Sequence, residues 1–182
     1  MSSYAKPSIR PAAPYFSSGP TKKRPGWSPT FLNDACTSRS HRSQPAKQKI
    51  NNAMTLARDI LALPDTYRIG IVPGSDTGAV EMAMWSMLGA RGVEVLAWES
   101  FGRDWLNDAV NQLKINPIAR VVPYGQLPDL SAVDFGNDVL FTWNGTTSGV
   151  KLPDGGWIPG DRAGLTIADA TSACFAMELP WD

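Results

Sequence analysis

Short β-branched runs alternate with helical patterns along residues 47–168, and this alternation limits the possible folds more than any other feature. Apolar runs fall at 67–72, 93–97, 119–122, 138–142 and 165–168. Each is strand-length, and the first carries the β-branched Ile69, Ile71 and Val72. A helical pattern fills 47–63, where Ile50, Met54, Ala57, Ile60 and Leu61 share one face and Pro64 ends the run. Two more helices are predicted at 77–88 and 102–113, the second with Trp105, Val110 and Leu113 as buried candidates. Strands separated by helices must cross over, and crossovers produce parallel pairs. The expectation is an α/β fold with a mainly parallel sheet.

Residues 1–46 carry none of this periodicity. They are rich in Pro, Ser, Lys and Arg, which predicts an extended arm ahead of a domain over 47–182. The formal net charge is zero and basic residues form no dense stripe beyond Lys22, Lys23 and Arg24, so nucleic acid is not expected as a partner. No apolar run is long enough to cross a membrane, and the N-terminus lacks a signal-like apolar block. A cytoplasmic setting is therefore expected. Cys36 and Cys174 have no metal-ligand spacing and His41 is the only histidine, so no metal site is expected.

In parallel sheets, ligands bind beyond the carboxyl ends of the strands. Four polar groups fall there: Ser75-Asp76-Thr77, Glu99-Ser100-Phe101, Asn144-Gly145-Thr146-Thr147 and Asp169-Ala170-Thr171. Singly, each has an ordinary structural explanation. Gly74 makes a tight turn and Ser75, Asp76 or Thr77 caps a helix. Phe101 is a core aromatic, Thr146 a turn residue and Asp169 a cap. Together they place anion donors, an aromatic face, hydroxyls and a carboxylate on one rim. That set suits a flat heteroaromatic cofactor bearing a phosphate.

Six stretches strengthen this reading: "FSSGPTKKRPGW", "SRSHRS", "YRIGIVPGSDTGAVEMAMW", "AWESFGRDW", "FTWNGTTSGV" and "GLTIADATSACFAMELPWD". In this order they resemble the phosphoserine aminotransferase family, in its alphaproteobacterial and archaeal variant, among the class V, fold-type I enzymes. The resemblance implies a three-layer sandwich, the large domain of a fold-type I transferase. It also implies pyridoxal 5′-phosphate (PLP) as cofactor, a homodimer when complete, and transfer of an amino group from glutamate to a phosphorylated 2-oxo acid. Carried over by position, Asp169 pairs with the pyridinium nitrogen, Phe101 stacks on the ring and Thr146 donates to the phenolic oxygen. Ser75, Asp76 and Thr77 bind the cofactor phosphate, Asp76 through its amide rather than its carboxylate. His41 and Arg42 match the pair that contacts substrate phosphate, a task suited to the arginine fork.

One departure bears on the chemistry. The family's cofactor-bearing lysine follows these motifs, whereas the lysines at 6, 22, 23, 47, 49, 114 and 151 all lie outside that context. The resemblance therefore implies an N-terminal part that lacks the lysine and the small domain, and that is inactive alone. Two other readings compete. A nucleotide-binding α/β enzyme would need G-x-G-x-x-G after the first strand, which is absent, and an acidic residue after the next, where Glu99 comes late. A non-catalytic fragment acting as an interaction module is the other.

Overall fold

The structure, a computed structural model, describes residues 8–9, 23–35 and 40–181. The chain forms two compact units, Met1–Gln48 and Lys49–Asp182. In the first, Ser28 caps a short 3-10 turn over Pro29–Leu32 by accepting from the Thr30 amide at 3.3 Å. Lys23 lies 5.4 Å from the Trp27 ring centre and Arg24 lies 5.0 Å from that of Phe31, both cation–π distances. The "FSSGP" end of the first motif lies outside the described residues.

Helix α1 spans Gln44–Leu61, α2 spans Asp76–Met87 and α3 spans Ser100–Asn111. The strands are β1 (Val93–Ala97), β2 (Ile118–Val121), β3 (Asp138–Thr142) and β4 (Thr166–Asp169). They form one sheet in the order β2-β1-β3-β4, and every pair is parallel. The expected α/β class with a parallel sheet is what the chain adopts. All residues of β1 and β3 are buried, as befits central strands covered on both faces.

Side chains alternate across the sheet and build two cores. Val93, Val95 and Leu140 pack with Met84 from α2 and with Trp105 and Ala109 from α3. Leu96, Trp98, Val139, Phe141 and Trp143 face the other way, where Leu152, Ala173 and connecting segments around Leu127, Phe135 and Trp157 cover them. Thus α2 and α3 contribute to one core, and non-helical chain covers the opposite face. Gly102 allows the close fit of α3, because a Cβ there would stand 3.2 Å from the Ala97 Cα. Trp105 is buried as expected, whereas Leu113 is only half-buried and Val110 faces solvent.

Two buried carboxylates tie the sheet to its connections. Glu94 accepts from Arg120 on neighbouring β2 and from the Asp134 amide at 3.2 Å, and Arg120 also donates to the Ala132 carbonyl. Asp138 accepts from the Leu165 amide at 2.8 Å, which fixes the start of β4. Glu94 thus has a donor on each oxygen, as burial requires, whereas Asp138 Oδ2 is buried without a partner among the described residues.

One expected strand does not form. Residues 67–72 make no ladder with the sheet, and Ile71 is 63% exposed. β-Branched side chains favour extended backbone, but a strand exists only through a neighbour's hydrogen bonds. No described residue supplies those bonds to this segment, and β4 is left as an edge with Leu165 exposed beside it. The segment is held at its start instead. The Arg58 guanidinium donates to the Pro64 and Tyr67 carbonyls, both at 2.7 Å, and Tyr67 packs edge-on against Trp181. The Trp181 indole in turn donates to the Leu61 carbonyl at 2.7 Å.

Apolar side chains remain uncovered on α1 (Ile50, Leu56, Ile60), on 67–72 (Ile71, Val72) and on α2 (Met82, Trp85). An open edge beside such patches favours association. The isolated chain is expected to self-associate at micromolar concentrations. Light scattering after size exclusion checks this; a monodisperse, cooperatively unfolding monomer contradicts it.

Candidate functional site

β1 continues to β2 on one side and β3 continues to β4 on the other, so the chain leaves these adjacent strands in opposite directions. Beyond their carboxyl ends lies the crevice where open parallel sheets bind ligands. A cavity of about 120 Å³ opens there, lined by Asp76, Phe101, Thr142, Asn144, Thr146, Asp169, Thr171 and Ser172. Asp76, Asp169 and Thr171 also border a wider trough of about 630 Å³ that runs past β4 to Trp181.

Each wall has a local cause. Gly74 turns the chain into α2 with φ +103°, a conformation that L side chains rarely adopt. Ser75 then caps the helix, its hydroxyl accepting from the Gly78 amide at 3.3 Å. A helix's first turn holds amides with no acceptor inside the helix, here including those of Asp76 and Thr77. After β1, Glu99 caps α3 by accepting from the Gly102 amide at 2.7 Å. That start places Phe101 in the cavity wall, 37% exposed.

The loop after β3 is folded back on itself. The Gly145 amide donates to the Val150 carbonyl at 2.7 Å, and the Leu152 amide to that of Trp143 at 3.1 Å. Gly145 fits because it lacks a side chain: a Cβ would lie 2.8 Å from the Trp98 indole nitrogen and 2.9 Å from the Glu99 Cγ. The two threonines then part. Thr147 donates to the buried Glu99 carboxylate at 3.1 Å, accepts from the Ser100 amide at 3.3 Å and meets the Tyr124 hydroxyl at 3.0 Å. Thr146 faces the cavity and shares a 2.7 Å hydrogen bond with Ser172, which also accepts from the Asn144 amide group at 2.9 Å.

Asp169 ends β4, opposite Thr142 in the ladder. Its Oδ1 accepts from the Thr171 amide at 3.1 Å and the Thr171 hydroxyl at 2.7 Å. Its Oδ2 accepts from the Trp105 indole N–H at 3.1 Å. Thr142 Oγ1 and Asn144 Oδ1 are buried without a partner among the described residues, and both residues line the cavity. Such orphan atoms suit a polar guest.

Four residues expected at a cofactor, Asp76, Phe101, Thr146 and Asp169, thus line one cavity, with Ser75 and Thr77 flanking Asp76 on the same turn. His41 and Arg42 belong to the first unit, where both are exposed and the Arg42 amide donates to Ser40 Oγ at 3.1 Å. The sequence marks Trp105 only as a core candidate and singles out neither Thr142 nor Ser172. Ser172 stood within reach of notice, three residues after Asp169, but the Trp105 contact joins helix to strand and has no local signature. Among the described residues no cluster suited to a metal ion occurs.

An open parallel sheet with a polar cavity at its switch point defines the chain as an α/β domain. Comparison with known proteins narrows this: over most of its length the chain is similar to phosphoserine aminotransferases. The enzyme of that name from Methanosarcina mazei is 58% identical over 178 residues, 97% of this chain and 48% of that protein. Its counterpart from Methanosarcina barkeri is 57% identical over the same share of each. A putative phosphoserine aminotransferase from Mycobacterium leprae is 26% identical over 174 residues, 94% of this chain and 46% of that protein. The chain therefore spans about half the length of the curated relatives it matches. No family model matches it.

Cys174 borders the trough, and burial followed by the negative charge of Asp169 raises its thiol above its ordinary value. A raised thiol is less ionised at a given pH, so its alkylation is suppressed until more alkaline conditions. In a Cys36→Ser background, the pH midpoint for iodoacetamide labelling should lie above that of the same thiol in the denatured chain, and Asp169→Asn should lower it. A midpoint indifferent to Asp169 would show that the carboxylate does not act on the thiol.

Proposed function

We propose that this chain forms the cofactor-binding rim of a PLP-dependent phosphoserine aminotransferase. The reaction would convert 3-phosphohydroxypyruvate and L-glutamate to O-phospho-L-serine and 2-oxoglutarate, a step in L-serine biosynthesis. The observation that carries this is the meeting of Asp76, Phe101, Thr146 and Asp169, from four separate segments, at one cavity. The similarity to proteins of that name supports it independently.

When bound, PLP supplies an electron sink for the carbanion at the amino acid Cα. The chain's residues have distinct tasks around it. Phe101 offers an aromatic face to the ring. Asp169 presents a carboxylate to the ring nitrogen and holds its proton there. Thr146, backed by Ser172, donates to the phenolic oxygen. Ser75, Thr77 and the amides of the first turn of α2 receive the phosphate, with the helix dipole adding to the attraction. His41 and Arg42 bind the phosphate of the 2-oxo acid, and the functional assembly is a cytoplasmic homodimer.

A chimera tests this reading. The matched stretch of the Methanosarcina mazei enzyme is replaced by this chain, and transamination is measured. The chimera should be active, and Asp169→Asn within it should keep part of its PLP binding but lose turnover by orders of magnitude. An amide cannot hold the ring nitrogen protonated through an ion pair. Near-normal transamination by that variant removes Asp169 from the role.

Arg42→Ala in the same chimera separates phosphate recognition from scaffolding. The apparent KM for 3-phosphohydroxypyruvate should rise about tenfold or more, the worth of a hydrogen bond to a charged group. The glutamate half-reaction should change less, since glutamate carries a carboxylate in place of the phosphate. Equal losses in both halves would assign Arg42 a structural role.

A further inference from the structure

We propose that Trp105 is a positioning residue that clamps the Asp169 carboxylate and ties its placement to that of Phe101; this rests on the reading of the cavity as a PLP site. Phe101 and Trp105 stand four residues apart on α3, so they share one helix face. Phe101 lines the cavity, while Trp105 is only 2% exposed and sits in the core below. One helix thus sets both the aromatic wall and, through an indole N–H, the carboxylate at the end of β4.

The acceptor arithmetic of Asp169 shows what the clamp leaves free. A carboxylate oxygen has two lone-pair directions. Both donors from Thr171 go to Oδ1, which fills it. Among the described residues Oδ2 receives only the Trp105 indole, so one acceptor position remains there, on Oδ2. Little room is left for the indole to turn, because Trp105 is buried in one core cluster with Met84, Val93, Val95, Ala109 and Leu140. A rigid donor on one side of Oδ2 thereby directs the open lone pair. Without that N–H, the carboxylate plane would be set by Thr171 alone, two residues away on the same loop.

The effect should be specific to the ring nitrogen. The chimera that carries this chain is titrated with PLP and with an analogue carrying C–H in place of the ring nitrogen. Trp105→Phe should weaken PLP binding about tenfold, the range for a lost hydrogen bond to a charged group. It should leave analogue binding nearly unchanged. Equal weakening of both ligands, or no change in either, overturns the proposal and assigns Trp105 to packing alone. Should Trp105→Phe fail to fold, benzothienylalanine at position 105 keeps the indole's shape while replacing N–H with sulfur, and the same comparison applies.

A second measurement stands apart from the cofactor. The Trp105 indole resonance, identified by its loss in Trp105→Phe, should move in Asp169→Ala and its solvent exchange should accelerate. An unmoved resonance overturns the clamp whatever binds. Should the resonance move while the parent chimera takes up no PLP, the cofactor reading fails and the clamp stands.

Discussion

The parallel pairing of β1 with β3 is the constraint on which the rest of the structure depends. Both strands are buried on both faces, and their connections leave in opposite directions. The loops that follow them diverge around a gap that neither fills. Side chains at that gap cannot reach the sheet ladder, so their polar groups must find partners among themselves or in a guest. Thr142 and Asn144 retain orphan oxygens there for this reason. The cavity is a consequence of strand order before it is a consequence of any particular residue.

Glu99 turns that gap into a defined shape. Its buried carboxylate caps α3 through Gly102 and accepts the Thr147 hydroxyl, so one side chain joins the segment after β1 to the loop after β3. Gly145 permits the approach, since any Cβ there would collide with Trp98 and Glu99. Because Thr147 is engaged by Glu99, its neighbour Thr146 faces the cavity. The division of labour between two adjacent threonines thus follows from one buried acid. Burying a carboxylate without a cation is costly unless its oxygens are hydrogen-bonded, and both of these are.

The sequence was most legible where local pattern and tertiary environment agree. β1 and β3 are mostly apolar, broken by Glu94 in one and by Asp138 and Thr142 in the other, because the sheet is covered on both sides there. Their expected bounds match the observed ones. α3 and β4 were expected within two residues of their actual limits. Residues 67–72 share that composition yet form no strand, because composition sets backbone preference and pairing requires a neighbour. Asp169 and Phe101 were visible as polar and aromatic punctuation at strand ends. Their supports were not. Trp105 reads as a core residue by periodicity, and its donor function depends on which strand lies beside the helix.

This difference has a physical basis that extends to the whole site. Residues that shape a cavity wall often follow a strand or start a helix, so local signals mark them. Residues that fix their orientation come from elements distant in sequence, as Ser172 does for Thr146 across 26 positions and Trp105 for Asp169 across 64. Such contacts close long loops and lose chain entropy, so they form only once the sheet has brought the segments together. The geometry of the rim is therefore inseparable from the sheet beneath it. A substitution that loosens the packing of α3 on β1 shifts Phe101 and the donor to Asp169 together, even though neither residue has been changed.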